Sequence, residues 1–210
     1  METYLFGNES AQNLLIQPVD SHDLEFIENE VRRIRELTDT DFCLAAVKVK
    51  DWNRDLSPWP APAVFGKEGF GDGAAAFLEG ILPLCPEDKA CYIGGYSLAG
   101  LFSLWAASRT DRFRGVAAAS PSVWFPGFTE YIRENRIRSR AVYLSLGDRE
   151  EKTRNPVMAA VGSRIRETEE ILKDRGILCT LEWNPGNHFR DADLRTARAF
   201  AWILESGGRE

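Results

Sequence analysis

Two hydrophobic patterns alternate along this chain: short, near-continuous apolar runs, and longer stretches in which every third or fourth position is apolar. The short runs fall at residues 13–17, 42–50, 89–94, 115–119, 141–146 and 177–183, and a weaker one at 3–6 reads as an edge strand. A run such as Leu44-Ala45-Ala46-Val47 is what a parallel strand needs when both of its faces are covered. The longer stretches predict helices. Asp20 or Ser21 caps one that runs to about Leu37, with Leu24, Ile27, Val31, Ile34 and Leu37 forming an apolar face and Glu28, Arg32, Arg33 and Glu36 lying elsewhere. Further helices are predicted over 71–82, 98–107, 127–135 and 191–204. A long amphipathic helix over 156–174 is expected to bury Val157, Val161, Ile165 and Leu172 and to stop at Gly176.

Strands therefore alternate with helices, without hairpin signals, repeats or low-complexity tracts. That order predicts an α/β fold: a mostly parallel central sheet with helices on both faces. No internal linker breaks the pattern, so residues 1–210 are read as a single domain. The longest irregular segment, 51–68, holds Trp52, Trp59, Phe65 and three prolines. Loops of this length are functional or disordered, and the tryptophans argue against disorder.

The turn between the run at 89–94 and the helix from Leu98 carries Gly95-Tyr96-Ser97-Leu98-Ala99-Gly100. A serine on so tight a strand-to-helix corner is forced into a strained backbone, and its neighbours two positions away must be small. The corner lifts the hydroxyl out of the sheet. It also aims the unpartnered first N–H groups of the helix at whatever Ser97 attacks. Ser97 is thus a candidate nucleophile, the plainer reading being a serine that caps a buried helix.

Composition narrows the partners. The chain is 44% hydrophobic and 28% charged, with a net charge of -6 at pH 7. Interspersed charges of that sign disfavour nucleic acid and anionic membrane surfaces. With no signal-peptide pattern and no long apolar span, the expected setting is the cytoplasm, and the expected partner a small molecule. Cys43, Cys85, Cys91 and Cys179 show neither C-x-x-C spacing nor a neighbouring histidine. They read as buried free thiols, with no metal and no cofactor implied.

In parallel sheets, chemistry gathers on loops at the carboxyl ends of strands. Ser97 follows one strand, Asp148 and Glu150 a later one, and His188 the last, in the nucleophile–acid–histidine order of α/β-hydrolases. A serine hydroxyl needs a base, and imidazole both takes its proton and returns it to a leaving group. Of the two histidines, His22 reads as a solvated residue at the start of a surface helix, leaving His188. Glu150 is preferred as the acid and Asp148 is second, the other being a solvated turn residue paired with Arg149 or Lys152. The oxyanion would be met by the N–H of Leu98 and by that of Trp52 or Asp51, on the loop after the 42–50 strand. Trp52, Trp59 and Trp124 are candidates to line an apolar substrate pocket, or else are core aromatics.

Three stretches carry a resemblance: Gly95-Tyr96-Ser97-Leu98-Ala99-Gly100, Ser120-Pro121-Ser122-Val123-Trp124, and Gly186-Asn187-His188-Phe189. With the strand order, residues 42–204 resemble the esterase family that includes esterase D-type S-formylglutathione hydrolases, feruloyl esterases, enterobactin-type siderophore esterases and mycolyltransferases. The chain departs from that pattern in Ala99 in place of a glycine, Gly-Asn-His in place of Gly-Gly-His, and its short length. The resemblance implies a small α/β-hydrolase fold without a separate lid domain, and a serine esterase working through Ser97, His188 and Glu150 or Asp148. A thioesterase or acyltransferase would use the same residues. A non-catalytic binding protein built on the fold, using the aromatic loop at 52–65, is the contrasting expectation.

Overall fold

The computed structural model of the protein describes residues 1–64 and 66–207. Phe65 therefore lies outside the described residues. Seven strands form one sheet: β1 (Thr3–Gly7), β2 (Asn13–Val19), β3 (Phe42–Lys48), β4 (Ala90–Tyr96), β5 (Phe113–Ala119), β6 (Ala141–Gly147) and β7 (Leu178–Asn184). Their spatial order is β1-β3-β2-β4-β5-β6-β7. Only β1 runs antiparallel, on the β3 edge, and every other pairing is parallel.

Alternation along the strands sends side chains to two cores. Leu14 and Ile16 of β2 and Cys43, Ala45 and Val47 of β3 enter one core. It is covered by α3 (Ala74–Ile81), α4 (Leu98–Arg109), α5 (Phe128–Glu134) and α7 (Val161–Asp174). Leu15, Val19, Phe42, Leu44 and Ala46 face the other, beneath α1 (Ser21–Leu37) and α8 (Ala192–Ser206). Helix α4, from Leu98 to Ser108, is buried on every side. Asp20 caps α1 through a reciprocal pair with Asp23. Among the described residues no separate lid stands over the sheet, and no helix is long and apolar enough to cross a membrane.

Three expectations change. The irregular segment contains a short helix, α2 (Trp52–Asp55), capped by the Asp51 carboxylate, which accepts from the Arg54 N–H at 3.0 Å. The long helix over 156–174 is two pieces, α6 (Pro156–Ala159) and α7, meeting at Ala160. Glu151 presses against Gly162, where any Cβ would collide with its carboxylate. Val157, on the separate first turn, is exposed instead of buried. Cys43, Cys85 and Cys91 are buried free thiols, while Cys179, on the edge strand β7, is only half-buried.

On α1 the apolar face is interrupted by buried Glu30, whose Oε2 accepts from Gln17 Nε2 at 3.3 Å. Burial, reinforced by the charges of Asp23 and Asp193, pushes this carboxyl well above its ordinary range despite the Gln17 hydrogen bond. A raised folded pKa contributes stability that is full below the unfolded value, about 4.3, and is lost as pH climbs through the folded value. Glu30→Gln, which stays neutral, should therefore gain melting temperature relative to the wild type as pH rises above about 4.3. A difference that does not move with pH, measured by thermal denaturation, would contradict this.

Candidate active site

Ser97 sits between β4 and α4 with φ 57° and ψ -119°, a backbone conformation that non-glycine residues adopt only under constraint. Strand β5 and the turn after it supply the constraint: the Ser97 N–H donates to Ala119 O at 3.1 Å, and its carbonyl accepts from the Ser122 N–H at 3.0 Å. The corner is sterically full. A Cβ on Gly95 would stand 2.7 Å from the Cβ of Ala99, and one on Gly100 only 3.0 Å from the Gly95 carbonyl oxygen. Ala99 therefore fits where a glycine was expected, provided that residue 95 has no side chain.

The turns after β4, β6 and β7 meet. Ser97 Oγ lies 3.0 Å from His188 Nε2, and His188 Nδ1 lies 2.7 Å from Glu150 Oε2. The imidazole bridges hydroxyl and carboxylate, one ring nitrogen to each. Glu150 is 8% exposed and opens a short 3₁₀ turn, Glu150–Lys152. Its second oxygen, Oε1, accepts from the Gly147 N–H at 2.7 Å, Ser120 Oγ at 2.8 Å and Arg195 Nη1 at 2.9 Å. Burial alone would raise this carboxyl. The hydrogen bond and charge of His188, with the Gly147 N–H and the Ser120 hydroxyl, outweigh it and hold the group below its ordinary value.

Asp148 does not reach the ring. Its Oδ1 accepts the Gly186 N–H at 2.8 Å, tying the turn after β6 to the turn that carries His188. It pairs with neither Arg149 nor Lys152. His22 is exposed on α1 and makes an edge contact with Phe26.

Several residues that sequence reasoning did not single out complete the arrangement. Arg195, on α8, is 1% exposed. Its Nη1 also donates to Tyr96 Oη (2.9 Å) and Ser120 Oγ (3.0 Å), while Nη2 reaches Pro185 O and Asn187 O in the histidine turn. Tyr96 donates in turn to His188 O at 2.8 Å, and burial is the main reason its phenol is pushed up to about 12. Ser122 Oγ lies 3.2 Å from Ser97 Oγ. Ser120 and Ser122 flank Pro121 in the quoted Ser-Pro-Ser stretch, so a signal was present for them. For Arg195 there was none.

The oxyanion candidates separate. Leu98 opens α4, so its N–H has no intrahelical partner. Trp52 opens α2 after β3, but β2 stands between β3 and β4. Its strand thus ends about 10 Å across the sheet from that of Ser97, at roughly 4.8 Å per strand. The N–H of Asp51 is already donated to Asp55 Oδ2. The crossover order puts β2, and not β3, beside β4.

A cavity of about 280 Å³ opens beside His188, lined among others by Trp124, Met158, Val161 and Phe189. Trp124 is thus at the cavity, whereas Trp52 and Trp59 are not among its lining residues. Trp59 serves the fold: its Nε1 donates to Pro126 O at 2.9 Å and its ring packs on Phe125 and Tyr131.

No protein-family model matches the chain, and no curated protein matches it. Solved structures do. An IroE-like serine hydrolase from Shewanella oneidensis superposes with a TM-score of 0.78 at 14% identity, over 99% of this chain and 77% of the other. The siderophore hydrolase EstA from Aspergillus nidulans gives 0.67 at 19% identity, over 95% and 85%. Acyl-protein thioesterase 2 from Zea mays gives 0.64 at 13% identity, over 99% of both chains. At these identities the likeness is one of architecture, and the architecture is that of the α/β-hydrolases.

Proposed function

We propose that the protein is a serine hydrolase that cleaves carboxylic esters of small molecules through an acyl-enzyme on Ser97. One observation carries this reading: the unbroken hydrogen-bonded line from Ser97 Oγ through the His188 ring to the buried Glu150 carboxylate. His188 Nε2 takes the Ser97 proton as Oγ bonds to the ester carbon. Glu150 fixes the ring with Nδ1 protonated and stabilises the imidazolium that results. The negative oxygen of the tetrahedral intermediate is met by the Leu98 N–H at the positive end of α4. The C–O bond to the alcohol then breaks, the proton on Nε2 passes to the departing oxygen, and water repeats the sequence to free the acid. Arg195 and Ser120 hold the Glu150 carboxylate correctly turned through its second oxygen.

A thioester would be cleaved by the same steps, and one structural neighbour is named an acyl-protein thioesterase. The test is a burst assay with p-nitrophenyl acetate and butyrate, wild type beside Ser97→Ala. A stoichiometric burst followed by turnover, both absent in the variant, is the expected result. Equal turnover in the two proteins would end the nucleophile assignment.

A further inference from the structure

The loop after β6 reads Asp148-Arg149-Glu150-Glu151-Lys152, nearly neutral as a sequence. Folding gives each of its acids a partner. Asp148 is bound to the Gly186 N–H, and Glu151 faces Arg166 across 3.3 Å. Glu150, the one carboxylate that lines the cavity, already lies between Arg195 and His188. Arg149 and Lys152 remain. Both are exposed, both line the cavity, and neither side chain forms an ion pair among the described residues. A chain of net charge -6 thus presents two uncompensated cations at the mouth of a cavity whose apolar wall is Trp124, Met158 and Val161.

The position of the cavity says which half of an ester it receives. The imidazole delivers its proton to the leaving oxygen, so the alcohol half must lie on the His188 side of Ser97. The cavity is lined by His188, Asn187 and Phe189 of that turn, and not by Leu98. Resting on the ester-hydrolase reading, we infer that the enzyme selects esters whose alcohol half carries an anionic group, a carboxylate or phosphate, on a short apolar or aromatic stem. The stem lies against Trp124 and Met158, and the anion meets Arg149 and Lys152 by charge-assisted hydrogen bonds.

The test compares 4-carboxyphenyl acetate with its neutral methyl ester, 4-(methoxycarbonyl)phenyl acetate. Both leave the same acetyl-enzyme, so they differ only in the half under test. The readout is the ratio of their kcat/KM values in wild type, Arg149→Gln, Lys152→Gln and the double variant. Comparing this ratio between proteins cancels the different intrinsic reactivity of the two phenols. Each single substitution is expected to lower the carboxylate-to-neutral ratio about five- to tenfold, the double variant further, and added salt should lower the wild-type ratio too. A ratio unchanged across the variants overturns the inference, while Ser97-dependent release of either phenol leaves the hydrolase reading intact. No turnover of either ester by the wild type overturns both.

Discussion

His188→Ala is expected to lose about three to four orders of magnitude in kcat/KM toward p-nitrophenyl acetate, with little change in melting temperature. The two halves of that result have separate causes. Removing the ring takes the base from Ser97 Oγ, 3.0 Å away, and a bare hydroxyl at neutral pH is a poor nucleophile. The Glu150 carboxylate loses one partner but keeps Gly147, Ser120 and Arg195 on its other oxygen, so the fold around it stands. Nitrophenolate leaves without a proton. The loss with an alkyl ester, whose alkoxide must be protonated by the same ring, should therefore be larger still. A structural histidine would give the reverse pattern, a lowered melting temperature with little change in rate. Steady-state kinetics beside thermal denaturation separate the two.

Arg195→Leu is expected to cost about 3–5 kcal/mol of stability, which for a domain of this size is a drop on the order of 10 °C in melting temperature. The guanidinium is fully buried and joins three things: the Glu150 carboxylate, the Tyr96 and Ser120 hydroxyls, and the carbonyls of Pro185 and Asn187. Without it, a buried carboxylate loses its fixed positive partner, and the turn holding His188 loses its anchor to α8. Activity should fall with stability because that turn positions the ring. In the double variant Glu150→Gln/Arg195→Leu the two costs should be less than additive, since the amide leaves no uncompensated charge. Chemical denaturation of the four proteins of this cycle measures the coupling, and an Arg195→Leu protein within about 1 kcal/mol of the wild type would refute the role given to this residue.

Much of this was legible in the chain, and the limits were physical. Apolar runs placed the strands because a buried parallel strand tolerates little else, and the small residues around Ser97 marked the corner because only they fit it. Ser97, Glu150 and His188 could be nominated because strand order puts their loops at one end of the sheet. Choosing between Glu150 and Asp148 could not be done from spacing, since both follow β6 within a few residues and they diverge only when Gly186 claims one and Arg195 the other. Arg195 was invisible for a related reason. An arginine in the first turn of an amphipathic helix ordinarily points to water, and only the placement of Glu150 beneath it turns it inward. Trp52 follows β3, two strands from β4, because a crossover, which no local pattern records, inserts β2 between β3 and β4. Trp59 became an anchor through Pro126, a partner 67 positions away.

The reactivity of one hydroxyl decides between a serine hydrolase and a binding protein most directly. A fluorophosphonate probe incubated with the wild type, Ser97→Ala and His188→Ala, followed by intact mass and peptide mapping, reads that reactivity without knowledge of the natural ester. One adduct per wild-type chain, mapped to Ser97, is expected, with none on Ser97→Ala and markedly slowed labelling of His188→Ala. An unlabelled wild type, or an adduct that persists in Ser97→Ala, would contradict the serine-hydrolase reading.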